Sequence, residues 1–342
     1  MSGLALFASI TDWPLEPLAL AIGVVSAIVT SLVTWRALRD CEVQPGFQPV
    51  LWGVLGGGLA AGLAWACYFA LIQETPDVRP SALWWRLKPA YQAVLLVLLV
   101  AATATDLKTY YILDWVTAAG MGLGVLGAAL AGDVQLCHLW VDWNAEVPQL
   151  KGPDIPSWLS LYPHLHGLAW SLSGLIAGAG VTWAARGIAS LLLGQEALGF
   201  GDVTLMGMIG AFLGWQPVLI VFLIAPLCAL VTGLIVRSFS SKTYVPYGPY
   251  LSLAAVLVLF NWSRIWMFEI DLSRHGADSR GLPTFALRRL FGDWVGLLIL
   301  AGMLLGGLIL LLGGWRLYLS LPVASRRTAS AEHDKSEDRD GP

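Results

Sequence analysis

Residues 198–215 read LGFGDVTLMGMIGAFLGW, a single carboxylate followed by a run of mostly apolar and small residues. The run from Val203 to Trp215 would form a helix about 20 Å long, whereas the hydrocarbon core of a bilayer is about 30 Å thick. A carboxylate at the start of so short a helix is expected at or below the level of the lipid headgroups. Burying a carboxylate at this depth costs free energy, so Asp202 is the first candidate for a functional residue.

The composition of the whole chain places this stretch in a membrane protein. Of the 342 residues 57% are hydrophobic and only 13% are charged, and the mean hydropathy is +0.69. The 37 glycines and 17 tryptophans fit this class, because glycine is frequent in membrane helices and tryptophan at membrane interfaces. A net charge of −3 provides no basic surface for nucleic acid, so nucleic-acid binding is not expected. The expected environment of the chain is the lipid bilayer.

Apolar runs long enough to cross a bilayer recur along the chain, separated by proline, tryptophan and charged residues. The sequence predicts an all-α polytopic membrane protein with a bundle of about nine transmembrane helices, since helices satisfy their own backbone hydrogen bonds in lipid. The predicted segments are 17–35, 50–72, 90–105, 113–131, 167–193, 203–215, 217–236, 246–260 and 294–315.

The bundle divides into parts along the sequence. Residues 1–89 hold two extra helices with short loops, and residues 90–260 form a six-helix core. Residues 261–320 hold an outer loop and one extra helix, and 321–342 is a charged tail that we expect to be disordered.

Lysine and arginine in short loops predict the orientation of the chain. Arg36 and Arg39 follow the first segment, whereas the 16 residues before that segment carry acidic charge only. We therefore expect the N-terminus outside and the C-terminus inside, in a cytoplasmic (inner) membrane. Arg79, Arg86 and Lys88 run against this assignment, because they precede the third segment on its outer side, and so do five arginines in the long outer loop 261–292.

A second carboxylate, Asp106, ends the third segment. Two segments lie between Asp106 and Asp202, and an even number of crossings puts both on one face of the membrane in either orientation. Two carboxyl groups in contact do not both ionise easily, so one stays protonated while the other activates water, as in aspartic proteases. Gly199 and Gly201 would allow an extended peptide close to the pair, with Phe200 as a wall of its groove. The structural alternative is that each aspartate is an interfacial or helix-capping residue.

Three motifs resemble the type IV prepilin peptidase family, membrane-embedded aspartic proteases of the GxGD type. DLKTYYILDW at 106–115 is similar to the first catalytic motif of the family, and GFGD at 199–202 is similar to the second. VPYGPY at 245–250 is similar to a proline-aromatic-glycine-proline motif that opens a later helix. Their order and spacing also fit, and the resemblance covers 90–260.

The resemblance implies an endopeptidase that removes leader peptides from pilin-like precursors at the cytoplasmic face. Asp106 and Asp202 would be the catalytic pair, with no metal and no cofactor. Asp114 would be a local hydrogen-bonding or capping residue. The residues that would bind substrate or shape the site are Gly199, Phe200, Gly201, Asp114, Pro246, Gly248 and Pro249.

The sequence departs from the family at three places. Leu113 replaces the usual proline of the first motif, and Thr204 replaces a lysine that often follows the second aspartate. Bifunctional members carry two CxxC pairs in a cytoplasmic loop, whereas the 36–49 loop holds only Cys41. We therefore do not expect N-methyltransferase activity.

Other functions remain open at the level of sequence. A presenilin-type protease shares the Gly-x-Gly-Asp motif but would have a tyrosine at Thr105. A proton-coupled transporter could use the same two aspartates, although it would carry polar residues across the whole bilayer. A non-catalytic relative is the third alternative. His138, His164 and His166 lie in or near the 132–166 loop, where we interpret them as incidental and not as metal ligands.

Overall fold

The fold is described from a computed structural model of the chain. The structure describes residues 13–143, 146–147, 152–153, 155–194, 198–239, 246–270 and 285–320. The tail at 321–342 and Val245 of the third motif lie outside the described residues.

Nine helices of 14 residues or more dominate the part of the chain that the structure describes. They are α1 (Leu15–Asp40), α2 (Gln48–Phe69), α3 (Ala82–Thr109), α4 (Asp114–Ala131), α6 (Pro163–Leu193), α7 (Phe200–Leu213), α8 (Trp215–Phe239), α9 (Gly248–Trp266) and α10 (Trp294–Ser320). The short helix α5 spans Ser157–Leu161, and a 3-10 helix spans Leu287–Phe291. Four two-residue strands, β1 (Glu146–Val147), β2 (Gly152–Pro153), β3 (Glu269–Ile270) and β4 (Phe285–Ala286), pair antiparallel as β1 with β2 and β3 with β4.

This architecture confirms the predicted all-α polytopic membrane protein. Six of the helices, α1, α2, α3, α4, α6 and α8, are long and apolar enough to cross a bilayer within the described residues. The helix α7 has only 14 residues, as the short apolar run predicts.

Two helices extend beyond the predicted segments. The helix α3 begins at Ala82 and not at 90, because Lys88 is buried inside the protein and its Nζ donates to the Gln135 carbonyl at 3.0 Å. The helix α9 continues past 260 to Trp266 with a kink at Asn261, whose φ is −124°. In both places the sequence suggested that the helix stops at a polar residue, whereas in the structure that residue lies inside the helix.

The core of the bundle lies around α3, whose most apolar stretch has 72% of its residues buried. It contacts α1, α2, α4 and α9. Fully buried leucines of α3 meet side chains of α7 and α9, so the ends of these three helices are fixed relative to one another. Those side chains include Leu95, Leu96, Leu99, Leu205, Ile209, Leu251 and Val258.

The helix α7 lies against α6 through glycine. A Cβ atom at Gly174 or Gly210 would collide with the backbone of the opposite helix, so only glycine permits this approach. Gly214 then reverses the chain between α7 and α8 with a φ of +86°, a left-handed conformation that disfavours other residues. The second half of α7 is thus packed closely against α6.

The bundle has two ends that differ in character. We call the end where α3 and α6 finish and α4, α7 and α9 begin the site end. The opposite end, the cap end, is formed by residues 70–81, 132–143, 155–162, 214–216 and 262–293 as far as they are described. Asp106 and Asp202 both belong to the site end.

Candidate active site at one end of the bundle

The site end brings together residues from three distant parts of the sequence. Asp106 lies in the last turn of α3, Asp202 in the first turn of α7, and Gly248 is the first residue of α9. Asp106 is 5% exposed and Asp202 is 7% exposed, so neither carboxyl group is an ordinary interfacial residue. Both carboxyl groups therefore lie inside the same end of the bundle. We call Asp106 and Asp202 the carboxylate pair.

Asp106 is held by the third motif. The Gly248 backbone N–H donates to Asp106 Oδ2 at 3.1 Å, across 142 positions of sequence. This N–H belongs to the first turn of α9, where backbone donors have no partner within the helix and favour a carboxylate. A Cβ atom at Gly248 would lie 2.5 Å from Asp106 Oδ2, so this contact requires glycine.

Asp202 is held by its own motif. The Gly199 N–H donates to Asp202 Oδ2 at 3.2 Å, and Gly199 is the N-cap of α7. The carboxylate thus binds a backbone donor at the start of the helix that carries it, which is the geometry of a capping box. Helix capping explains the contact of Asp202 with Gly199. Capping does not explain why Asp202 is buried at the same end of the bundle as Asp106.

The remaining predicted residues surround the pair to different degrees. Pro246 is buried, and Pro249 lies in the first turn of α9, where its missing N–H costs no hydrogen bond. Phe200 is 57% exposed at the start of α7. The guanidinium carbon of Arg186 lies 5.9 Å from the centre of the Phe200 ring. Phe200 is therefore an open surface residue beside the pair.

Asp114 lies apart from the carboxylate pair. It is exposed in the first turn of α4, and the Tyr111 hydroxyl donates to its Oδ2 at 3.3 Å. The negative charge of Asp114 raises the pKa of the Tyr111 hydroxyl. Asp114 therefore makes a local hydrogen bond at the surface of the site end.

The two departures in the motifs have simple structural consequences. Leu113 adopts a φ of −71°, close to the value that proline imposes, so the turn before α4 follows a path that proline would also take. The Thr204 hydroxyl donates to the Gly201 carbonyl at 3.0 Å. This side chain bonds within its own helix and places no cation beside Asp202.

The sequence did not single out two residues that the structure places at the site. Tyr247, the aromatic residue of the third motif, is partly buried. Burial and then the charge of Asp202 raise the pKa of the Tyr247 hydroxyl. Ile112 is 4% exposed and contacts the motif glycines. Only their position inside the quoted motifs could have indicated them.

The histidines of the cap end contact the main chain. His138 Nε2 lies 2.8 Å from the Asp77 carbonyl, His164 Nδ1 lies 3.0 Å from the Ala129 carbonyl, and His166 Nε2 lies 3.1 Å from the Leu139 nitrogen. Within the described ranges, no three histidine, cysteine, aspartate or glutamate side chains are grouped in an arrangement that could hold a metal ion.

The fold and the site together define a class: a multi-pass helical membrane protein with two buried aspartates at one end. Residues 155–234 match the type IV leader peptidase family. This match includes Asp202 and ends before Gly248. The resemblance that the three motifs indicate is confirmed by this match and by the relatives described next.

Three bacterial relatives share the printed name prepilin leader peptidase/N-methyltransferase. The chain is 32% identical over 147 residues to that of Aeromonas salmonicida, which covers 40% of this chain and 50% of the relative. It is 34% identical over 109 residues to that of Pseudomonas aeruginosa, covering 30% and 38%. It is 33% identical over 110 residues to that of Burkholderia pseudomallei, covering 30% and 36%. The chain thus spans half or less of the length of these relatives, and no solved structure is significantly similar to it.

Proposed function

We propose that the protein is a membrane-embedded aspartic endopeptidase that removes leader peptides from type IV prepilins or pilin-like precursors. The observation that carries this proposal is the carboxylate pair: two buried aspartates from α3 and α7 at one end of the bundle. Buried carboxylates in a membrane protein are costly, and two of them side by side are a functional arrangement.

The chemistry follows from a pair that holds one proton. The ionised carboxylate takes a proton from a water molecule as its oxygen attacks the scissile carbonyl carbon, and the neutral carboxyl donates a proton to the carbonyl oxygen. When the tetrahedral intermediate breaks down, the C–N bond is cleaved and the leaving amine receives a proton from the pair. Since glycine N–H groups bind Oδ2 of both aspartates, we assign the Oδ1 atoms to water and substrate.

The charge distribution supports cleavage at the cytoplasmic face of an inner membrane, with the N-terminus outside. Arg36, Arg39, Lys108 and Arg186 belong to the parts of α1, α3 and α6 nearest the site end. Two of the exceptions at the cap end, Arg86 and Lys88, are bonded within the protein. Arg86 donates to the Trp13 carbonyl at 2.7 Å and Lys88 to the Gln135 carbonyl, so these cations are bonded to the protein itself.

We infer that the chain lacks the methyltransferase activity in the names of its relatives. The connection between α1 and α2 consists of residues 41–47, and Cys41 is its single cysteine. The two CxxC pairs of bifunctional members have no counterpart there. The mature product is therefore expected to carry a free, unmethylated N-terminal amine, which the mass of that product will show.

The test of the peptidase is cleavage of a pilin-like precursor co-expressed in membranes. We expect leader removal by the wild type and its loss in Asp106→Asn and in Asp202→Asn, which keep the size of each side chain. Asp114→Asn is the matched control, because it neutralises an exposed carboxylate at the same end. The comparison requires that all four proteins accumulate in the membrane to the same level.

Cleavage that survives both substitutions in the pair would overturn the aspartic mechanism. Absence of cleavage by the wild type across several leader sequences would favour a non-catalytic relative. A proton-coupled transporter would instead show proton movement into vesicles that requires the carboxylate pair.

A further inference from the structure

Ile112 occupies the short turn between α3 and α4, six residues after Asp106. The helix α3 ends at Thr109, and the residue after it, Tyr110, has a φ of +56° and a ψ of +30° that turn the chain sharply. The Ile112 side chain is 4% exposed, in a turn whose neighbouring residues Tyr110 and Tyr111 are more than half exposed. Ile112 is thus more deeply buried than Leu113, which is 9% exposed, and it has a packing role that the turn itself does not require.

The neighbours of Ile112 are the glycines of both other motifs. A Cβ atom at Gly201 would lie 3.1 Å from Ile112 Cβ and 3.5 Å from its Cδ1. A Cβ atom at Gly248 would lie 3.0 Å from Ile112 Cδ1. One side chain therefore lies between Gly201 in the first turn of α7 and Gly248 in the first turn of α9, and a Cβ atom at either glycine would crowd it.

These two contacts lead directly to the carboxylate pair. Gly201 immediately precedes Asp202, and the Gly248 N–H is the donor to Asp106 Oδ2. A change in the volume of Ile112 would therefore change the separation of Asp202 from Asp106. Isoleucine suits such a role because its branched Cβ restricts rotation about χ1, so it acts as a stiff spacer.

We propose that Ile112 is a positioning residue that sets the distance between the two aspartates, an inference that rests on the proposed peptidase function. It touches neither substrate nor water in this account. It acts on catalysis through Gly201 and Gly248, and the distance it sets determines how strongly the two carboxyl groups influence each other's protonation.

The first test compares Ile112→Ala with Ile112→Val. Loss of the outer carbons in the alanine variant lets α7 and α9 shift, and a shift of about 1 Å at a catalytic group lowers rates on the order of 100-fold. We expect Ile112→Ala to lower kcat with KM little changed and to alter the width of the pH–rate profile. Valine keeps the branched Cβ and is expected to restore cleavage to within about threefold of wild type.

The second test uses the glycines and does not depend on the stability of Ile112→Ala alone. Gly201→Ala crowds Ile112, so Gly201→Ala combined with Ile112→Ala is expected to recover at least tenfold in cleavage over Gly201→Ala. Gly248→Ala is the matched control. Its Cβ would also collide with Asp106 Oδ2, at 2.5 Å, so Ile112→Ala is expected to give it no recovery.

The outcomes separate this inference from the proposed function. If the wild type cleaves and the aspartate variants do not, the peptidase stands. Ile112→Ala with wild-type kcat and pH profile, or equal recovery of both glycine variants, would then overturn the spacer role. If Asp106→Asn and Asp202→Asn cleave normally, the peptidase mechanism itself fails, whatever the Ile112 variants do.

Discussion

The cap end and the site end of the bundle use their polar groups in opposite ways. At the cap end, side chains from three different helices donate to main-chain carbonyls of the segment 132–143. They are Lys88 to Gln135 at 3.0 Å, Gln216 to His138 at 2.8 Å, Trp215 to Leu139 at 2.7 Å and Trp262 to Leu136 at 2.9 Å. This irregular segment is buried, and buried carbonyls need such partners.

Aromatic rings complete the cap end. The ring centres of Trp262 and Trp266 are 5.0 Å apart, and those of Trp266 and Phe291 are 5.7 Å apart. At the site end several large aromatic residues are instead exposed, and each aspartate of the pair receives one glycine N–H. The exposed aromatic residues there are Tyr110, Tyr111, Trp115 and Phe200.

The two ends therefore contribute differently to the stability of the protein. Many polar side chains of the cap end bond to its own backbone and so fix the helices relative to one another, although neither carboxylate oxygen of the buried Asp77 has a hydrogen bond among the described residues. The site end keeps two buried carboxyl groups only partly bonded, which is costly for folding and useful for a reaction. Substitutions at the two ends should therefore affect different measurements: activity at the site end, and stability at the cap end.

The largest effect is expected from Gly248→Ala. The added methyl group displaces Asp106 from its backbone donor, and cleavage should fall on the order of 100-fold or more. The apparent melting temperature in detergent should change little, because the cap end is untouched. Pro249→Ala, one residue further along α9, is the control. A variant that loses melting temperature and activity in parallel would show that the two ends are not separable.

The second largest effect is expected from Gln216→Leu at the cap end, and it is an effect on stability. Gln216 is 2% exposed, and its amide donates to the His138 carbonyl. Leucine leaves that buried carbonyl without its donor, at a cost of about 1–3 kcal/mol in the free energy of unfolding. Thermal unfolding in detergent measures the loss.

The control is Trp140→Leu, because Trp140 lies at the same end of the bundle and is 41% exposed. Cleavage by the folded Gln216→Leu protein should stay within about twofold of wild type, since this end lies a full helix length from the carboxylate pair. A selective loss of activity at unchanged stability would contradict the division between the two ends.

Much of the fold could be predicted from the sequence, because membrane helices are decided by local hydropathy. All nine predicted segments correspond to helices in the described residues. The errors occur at the cap end, where Lys88 and Asn261 lie inside helices. A charged or polar residue suggests the end of a span in sequence, and the partners that allow its burial come from elsewhere in the chain.

The site was predictable only in part. The parity of the two intervening helices puts Asp106 and Asp202 at one end, which needs no tertiary information. The contact between Gly248 and Asp106 joins residues 142 positions apart, and the burial of Ile112 between two glycines depends on the approach of three backbones. Such contacts depend on how the helices pack, which a single sequence does not encode locally. The catalytic roles of the pair stay a prediction.

A smaller effect is expected from Leu113→Pro, which restores the family residue. The φ of Leu113 suits proline, and its N–H has no hydrogen-bond acceptor among the described residues, so no bond is lost. Proline restricts the unfolded chain, which stabilises the folded protein by a few tenths to about 1 kcal/mol. We expect this gain to offset the loss of the buried leucine side chain. We expect cleavage within about threefold of wild type and an unchanged melting temperature. A large loss of activity would show that the turn depends on the leucine side chain.

The smallest effect is expected from Asp114→Asn, and it sharpens the contrast inside the site end. Asp114 is exposed and bonded to Tyr111, so its neutralisation should leave cleavage within about twofold of wild type, as for other surface changes. The pKa of Tyr111 should fall towards its ordinary value, because the nearby negative charge that raises it is removed. Ultraviolet titration of the phenolate measures this shift, with Tyr111→Phe identifying the signal. A fall in cleavage comparable to that of Asp106→Asn would mean that the site uses a third carboxylate, and that the exposed surface beside the pair belongs to its chemistry.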